Sequence, residues 1–330
     1  MVHYDVITVG SATRDMFLIS RDFAARLLDN QPVVVLPAST KLDVVDIAND
    51  TGGGATNSAV CFARLGLKVG CMAKIGVDSS GREVEHNLEK EGVDNLLVKD
   101  KTHQTGVSVV LKGTDGEDTI LTHRGAGYEY SSRDFSMSGK TANWLYITSL
   151  GGDIALLSRL VKWANLEGIK VAVNPGRREI DKGTKLRRLL KQVDVVIMNR
   201  SEAMRLFHSD EPRECLRLGR ELGWHTIILT DSKHGSWVLD GSYIYHAGVY
   251  KDAKVIDRTG AGHAFGAGFI AAIMKGKSLE QAISFASANA TSVISYIGAK
   301  TGILRSMNAD IMKIDISVFE NREEFHDAPH

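Results

Sequence analysis

The chain has 330 residues, of which 43% are hydrophobic and 24% charged, and its 40 basic and 40 acidic side chains cancel. A formally neutral surface has no general attraction for nucleic acid or an anionic membrane, and no apolar run is long enough to span a bilayer. Three cysteines, Cys61, Cys71 and Cys215, lack metal-ligand spacing and fit a reducing cytoplasm better than a disulfide framework, so a cytoplasmic globular protein of one large domain with an appendage, or of two domains, is expected.

Val6 to Val9 reads as a buried strand ending at Gly10, which sets Ser11 to Asp15 at a strand's carboxyl end, where open α/β sheets hold ligands. From Met16 to Ile47 the pattern changes to a short helical piece, Phe23 to Leu28, and two β-branched runs near Val33 and Leu42, an excursion out of the main sheet. Asp50-Thr-Gly-Gly-Gly then opens a helix that stops at Gly66. A strand from Val69 to Ile75 and a helix from Ser80 to Glu91 continue the alternation. Two β-rich runs between Gly106 and Thr122, parted by Gly113-Thr-Asp-Gly116, predict a hairpin that joins the earlier excursion as a small sheet.

From Trp144 onward strands and helices alternate regularly: strands at 144–148, 170–173, 193–198 and 226–229, with helices at 154–167, 185–191, after Asn199, and at 212–222. Parallel strands joined by covering helices account for this order. An antiparallel pair, 236–238 with 243–246, follows. Two long helices, 260–275 and 279–296, close the core, and the tail from Met307 is polar.

The stretch Asp257-Arg-Thr-Gly-Ala-Gly-His-Ala-Phe265 carries the chemistry. Gly260, Ala261 and Gly262 form a glycine loop at a helix N-terminus, where backbone N–H groups and the positive helix end face an anion. Taken alone such a loop is equally a tight turn with close packing. The second glycine-rich helix start, near Gly52, suggests two ends of one cleft. Asn199 and Glu202, three apart at a strand's end, can face that cleft together or form an ordinary helix cap.

Two anchors resemble the ribokinase-like (PfkB) family of carbohydrate and nucleoside kinases: Gly52-Gly53-x-x-x-Asn57 with Ala-Arg-Leu-Gly66, and Asp257-x-Thr-Gly-Ala-Gly-x-Ala-Phe265 with Gly268. Asn199-x-x-Glu202 and Thr230-x-x-x-x-Gly235 lie between them in the family's order, with Ser232 where the family usually has glycine. The resemblance runs from Val6 to about Leu304. It implies an α/β fold with a mainly parallel central sheet, helices on both faces and a small β-sheet lid. The division it suggests is a nucleotide-binding core of residues 1–10, 51–105 and 124–330 under a lid of residues 11–50 and 106–123.

The activity implied is transfer of the ATP γ-phosphoryl group to a hydroxyl of a sugar or nucleoside. By the same resemblance Asp15, Gly52, Gly53, Asn57 and Arg124 hold the acceptor. Thr230, Gly235, Arg258, Thr259, Asn199 and Asn289 serve the nucleotide, Asn289 near the adenine. Glu202 holds Mg2+ through water. A monovalent cation such as K+ is implied at Asp257 and carbonyls of residues 295–302, with Lys300 as a substitute for the ion. A homodimer through the lid sheet would cover its exposed edge and face.

One position departs from the family: His263 stands where an aspartate is expected to take the proton of the attacking hydroxyl. A neutral imidazole can accept a proton, so a kinase of reduced activity is one reading; a site that binds sugar or nucleoside and ATP without turnover is another; an introduced substitution is a third. A dinucleotide-binding protein is disfavoured, because Gly10-Ser-Ala-Thr-Arg lacks the further glycines of that fingerprint.

Overall fold

The computed structural model describes residues 1–29, 31–113, 118–131, 134–250, 253–307 and 314–320. Its centre is an 11-stranded sheet. From one edge the strands run Ile316–Glu320, Tyr243–Ala247, Ser236–Asp240, Thr226–Thr230, Val195–Asn199, Lys170–Val173, Lys140–Ile147, Val2–Gly10, Val69–Gly76 and Asp94–Asn95, and Val98–Asp100 also pairs with Val69–Gly76. From Thr226–Thr230 to Asp94–Asn95 every pairing is parallel; the three strands at the far edge are antiparallel.

The physical reason lies in burial. Runs such as Val195-Val-Ile-Met198 are apolar at every position and buried on both faces, as a parallel strand covered by helices on each side requires. Two separate groups of buried apolar side chains result, one on each face. On one face pack the helices Gly54–Arg64, Ala261–Met274 and Leu279–Ile294; on the other, Ile154–Leu166, Thr184–Leu189, Arg200–Phe207 and Pro212–Glu221. The Ala261–Met274 helix is Ala- and Gly-rich because it is enclosed. A Cβ at Gly266 would lie 2.4 Å from the Tyr146 hydroxyl.

The second sheet has four strands in the order Asp118–His123, Gly106–Lys112, Thr13–Ile19 and Asp46–Gly52, with the two central ones parallel. Asp15 and Phe17, two apart, both turn inward on Thr13–Ile19, and the outer strands are mostly exposed. This is the expected small sheet; the hairpin's turn at Gly113-Thr-Asp-Gly116 lies, apart from Gly113, outside the described residues.

One local expectation is corrected, and two strands are new. Phe23 to Leu28 is no helix: a 3-10 turn at Arg21–Phe23 leads to a two-stranded ribbon, Arg26–Leu28 with Gln31–Val33. The strand Thr13–Ile19 and the edge strand Ile316–Glu320 were not anticipated. Both have mixed patterns whose β conformation comes from pairing with distant strands rather than from local preference.

Candidate active site

The carboxyl ends of the parallel strands open into a cleft of about 430 Å³ beneath the four-stranded sheet. Ser11 follows Val2–Gly10, Ser149 follows Lys140–Ile147, and Asn174 follows Lys170–Val173; Asn199 and Thr230 end their own strands, and all five line the cleft. A larger hollow, about 590 Å³, lies among Met1, Lys140 and Trp163 at the strands' amino ends. It contains none of the glycine loops, and α/β sheets bind ligands at the opposite end.

Two helix N-termini meet in the cleft. Gly260 caps the Ala261–Met274 helix in the left-handed region, φ 84°, where a Cβ would come within 2.5 Å of the Ala299 Cβ; glycine is therefore required. Ala261 N–H turns back to the Arg258 carbonyl at 3.3 Å, and Ala264 N–H bonds Gly260. Among the described residues the N–H groups of Gly260, Gly262 and His263 have no protein partner, so His263 takes the place of Ala261 in the expected set of Gly260, Ala261 and Gly262. A Cβ at Gly262 would meet nothing within 4 Å, as a residue bordering open space should. The other terminus, at Gly54–Arg64, is tied down by Ser11, whose hydroxyl accepts from Gly54 N–H at 3.0 Å and whose carbonyl accepts from Ala55 N–H at 3.1 Å.

His263 projects between these termini. A Cβ on Gly54 would stand 2.9 Å from its Nε2 and 2.6 Å from the Thr148 hydroxyl, so the third glycine of Gly52-Gly-Gly is what makes room for the ring. Solvent reaches part of the imidazole, yet protein surrounds it at the cleft floor. Burial first, and the Lys300 ammonium second, push its pKa down to about 4. The ring is neutral at neutral pH.

At the acceptor end Asp15 is buried, accepts from the Thr13 hydroxyl at 2.8 Å and presses against Gly52, where a Cβ would overlap its Oδ2. Burial raises its pKa; the Thr13 hydroxyl and Lys300 oppose that rise without cancelling it. Asn57 is 5% exposed, and its Oδ1 is a buried acceptor without any donor among the described residues. Such an orphan is costly in a protein alone, and it fits a ligand hydroxyl. Arg124 stands exposed at the rim, with no ion-pair partner among the described residues.

Asn199 and Glu202 form a reciprocal helix cap: Glu202 N–H donates to Asn199 Oδ1 at 2.9 Å and Asn199 N–H to Glu202 Oε2 at 2.8 Å. They also line the cleft, so both readings of the pair hold together. Burial, and then the neighbouring Glu179 carboxylate, push Glu202 up to about 7. Glu179, which the sequence did not single out, accepts from the N–H groups of Leu150, Gly152 and Gly176 at 2.7, 2.7 and 3.0 Å and from the Ser149 hydroxyl. No cluster of three or more metal-ligating side chains exists among the described residues. A buried carboxylate with a second carboxylate nearby is nevertheless a site short of positive charge, and it fits Mg2+ carried in on phosphate oxygens, which needs only one or two protein carboxylates.

A monovalent cation at Asp257 does not fit. The Asp257 side chain is fully buried, its Oδ2 accepts from Gly298 N–H at 2.8 Å, and its Oδ1 accepts from Thr259 N–H at 3.0 Å and from the Lys112 ammonium at 3.2 Å. Burial alone would raise its pKa, but the two amides and Lys112 outweigh burial and hold it below the usual range. Lys300, expected as the substitute charge, donates instead to the Thr51 carbonyl, beside the acceptor site. The amine at Asp257 is Lys112.

Of the other expected site residues, Gly53, Thr230 and Thr259 line the cleft, whereas Gly52, Gly235, Arg258 and Ala261 do not. Asn289 is corrected outright: it is fully buried, donating to the Ala264 carbonyl at 2.8 Å and accepting from Leu304 N–H at 2.9 Å. Its amide clamps two helices and does not line the cleft. Lys112 was missed because one charged residue at the end of an apolar run reads as an ordinary solvated end, and Glu179 because a glutamate after Arg177 and Arg178 reads as part of a charged surface turn.

Residues 5–305 match the model of the pfkB family of carbohydrate kinases, and the chain belongs to that family. An ATP-dependent ribose-1-phosphate kinase of Halopiger xanaduensis is 30% identical over 241 residues, covering 72% of this chain and 78% of the relative. A ribokinase of Haemophilus influenzae is 26% identical over 262 residues, 76% of this chain and 83% of its own. Among solved structures, Arabidopsis thaliana ribokinase complexed with ribose and ATP superposes with a TM-score of 0.74 at 22% identity, covering 92% of this chain and 96% of that one. The adenosine kinase of Sinorhizobium meliloti gives 0.76 at 22% identity, with 92% and 97% covered. The fold is ribokinase-like, and family membership makes this an ATP-using sugar or nucleoside kinase. No helix among the described residues is long and apolar enough to cross a membrane.

Proposed function

We propose that the chain binds ATP with its terminal phosphates on the N–H groups of Gly260, Gly262 and His263 and holds a polyol acceptor under the lid with Asp15 and Asn57. The observation that carries this is the buried, donor-less Asn57 Oδ1 in the same cleft as the partnerless loop amides. Phosphoryl transfer asks chiefly for alignment and for neutralisation of charge spreading over the phosphate oxygens. The helix end supplies the second, and the Asp15–Asn57 pair the first. Thr230 and Thr259 border the phosphates. Glu202 would hold Mg2+ through water, and the ion would neutralise part of the phosphate charge.

The division of labour follows the two sheets: residues 1–10, 51–105 and 124–330 as nucleotide-binding core, and 11–50 and 106–123 as lid, with the strand Asp46–Gly52 running two residues past that boundary. Ile47 and Leu121 are exposed on the lid face opposite Asp15, the face on which a homodimer would form. Arg124 at the rim suits an acceptor bearing a phosphate, so ribose 1-phosphate belongs in the test beside ribose and adenosine.

His263 reduces turnover without removing binding. A second reading, a binding protein without catalysis, is favoured by the absence of a carboxylate at this position. A thermal-shift screen of sugars, sugar phosphates and nucleosides with Mg·ATP separates the two when followed by product analysis on the native chain and on His263→Asp. Product from His263→Asp supports the kinase; acceptor binding with no product from either supports the binder; no stabilisation by Mg·ATP would sink both.

A further inference from the structure

Lys112 ends the lid strand Gly106–Lys112, yet its ammonium is not at the surface. Its side chain is 9% exposed and lies between Asp118 on the neighbouring lid strand, at 18%, and Asp257 of the core, at 0%. The three N–H donors of the ammonium meet three carboxylate oxygens: Asp118 Oδ1 at 3.0 Å, Asp118 Oδ2 at 2.8 Å and Asp257 Oδ1 at 3.2 Å. Lysine has no further donor to offer, and Asp257 has no oxygen free of a donor.

Asp257 is the carboxylate that shapes the glycine loop. One oxygen takes Thr259 N–H, next to Gly260, and the other takes Gly298 N–H, next to the Ala299 that packs on Gly260. The carboxylate therefore joins the 257–260 turn to the 298–300 turn, and Gly260 keeps its left-handed conformation between them. A buried carboxylate needs a counter-charge to remain ionised. A metal ion brought to Asp257 would have to displace Lys112 or lie against a like charge in a poorly solvated position, which is strongly unfavourable.

We infer that Lys112 is the built-in monovalent cation of this site: its ammonium neutralises Asp257, makes the phosphate loop independent of K+, and fastens the lid to that loop. Lys112 is a positioning residue, since it acts on phosphate only through Asp257 and the turn that Asp257 holds. The link to phosphate rests on the reading of Gly260 to His263 as the phosphate cradle; the charge replacement at Asp257 does not.

The test is a melting series of the full chain in KCl, NH4Cl and tetramethylammonium chloride at equal ionic strength, paired with calorimetric titration of Mg·ATP in each salt. The native chain should melt within about 1 °C in all three salts and bind Mg·ATP with affinities within about two-fold. Lys112→Ala leaves two facing carboxylates and a space. It should melt at least about 5 °C lower in tetramethylammonium chloride, and K+ or NH4+ should restore part of that loss. A native chain whose melting temperature rises by several degrees in K+, or whose Mg·ATP affinity rises about ten-fold, overturns the inference; so does a Lys112→Ala protein that matches the native chain in every salt. Should Lys112→Ala fail to fold, the native salt series decides alone, with Lys112→Arg as the charge-retaining partner. Failure of Mg·ATP to bind in any salt would remove the phosphate-cradle reading and leave the melting series to judge Lys112.

Discussion

His263→Asp should raise turnover roughly 10²-fold without tightening ATP binding. In the folded chain the ring's pKa is about 4 against 6.5 for the free side chain, because burial and Lys300 disfavour imidazolium. That difference of about 2.5 units is about 3 kcal/mol against the very species that forms when His263 takes the proton of an attacking hydroxyl. Partial solvent access trims the figure to about 2–3 kcal/mol, a factor of about 30 to 150 in rate, at the low end of what general-base assistance contributes. An aspartate reverses the sign of the effect. It begins as an anion favoured by Lys300 and the helix ends, and becomes neutral on accepting the proton. The assay is initial-rate ADP formation with the acceptor found by thermal shift, reported as kcat and KM for ATP for both proteins. Equal kcat values would refute the reasoning, and so would a gain confined to KM.

Four further outcomes follow from the geometry. Affinity for Mg2+ in the nucleotide complex should climb as pH rises through about 7, where Glu202 ionises, and Glu202→Gln should flatten that dependence in a calorimetric titration. Gly260→Ala forces a side chain to φ 84° and into Ala299, costing at least about 1–3 kcal/mol in denaturant unfolding, whereas Gly262→Ala, with open space before it, should keep its stability and lose Mg·ATP affinity. Asn289→Ala should cost about 2–3 kcal/mol of stability and leave the choice between ATP and GTP unchanged, since the buried amide bonds Ala264, Leu304 and Cys61. His263 should also make stability depend on pH. The unfolded chain takes up a proton near 6.5 that the folded chain accepts only near 4, so this contribution is complete above 6.5 and is lost as pH falls toward 4. The difference between the native chain and His263→Asn, followed by urea unfolding from pH 7 to 4, should narrow accordingly; a constant difference would show the ring to be unburied.

Much of the fold was legible because its signals are local. Apolar runs bounded by glycine or asparagine marked strands such as Lys170–Val173 and Val195–Asn199, and helical periodicity marked Ile154–Leu166 and Leu279–Ile294. The lid was harder. Thr13-Arg-Asp-Met-Phe-Leu-Ile19 has no clear alternation, and its strand exists because Gly106–Lys112 and Asp46–Gly52 pair with it across the chain. Sequence reading reached the glycine loops because a helix N-terminus that receives phosphate cannot tolerate side chains there. It did not reach Glu179 or Lys112, whose importance lies in partners 27 and 145 positions away.

From sequence alone came the class of protein, the two glycine-rich helix starts and the anomaly at His263, because each depends on residue identity at a short, fixed spacing. Tertiary structure alone decided which charges meet. Lys300 turned to Thr51 rather than to Asp257, Lys112 reached across from the lid to fill that place, and Asn289 disappeared into the core. The physical reason is that an ion pair or a buried hydrogen bond is set by distance in space, and chain order places no limit on which two ends of a fold are brought into contact.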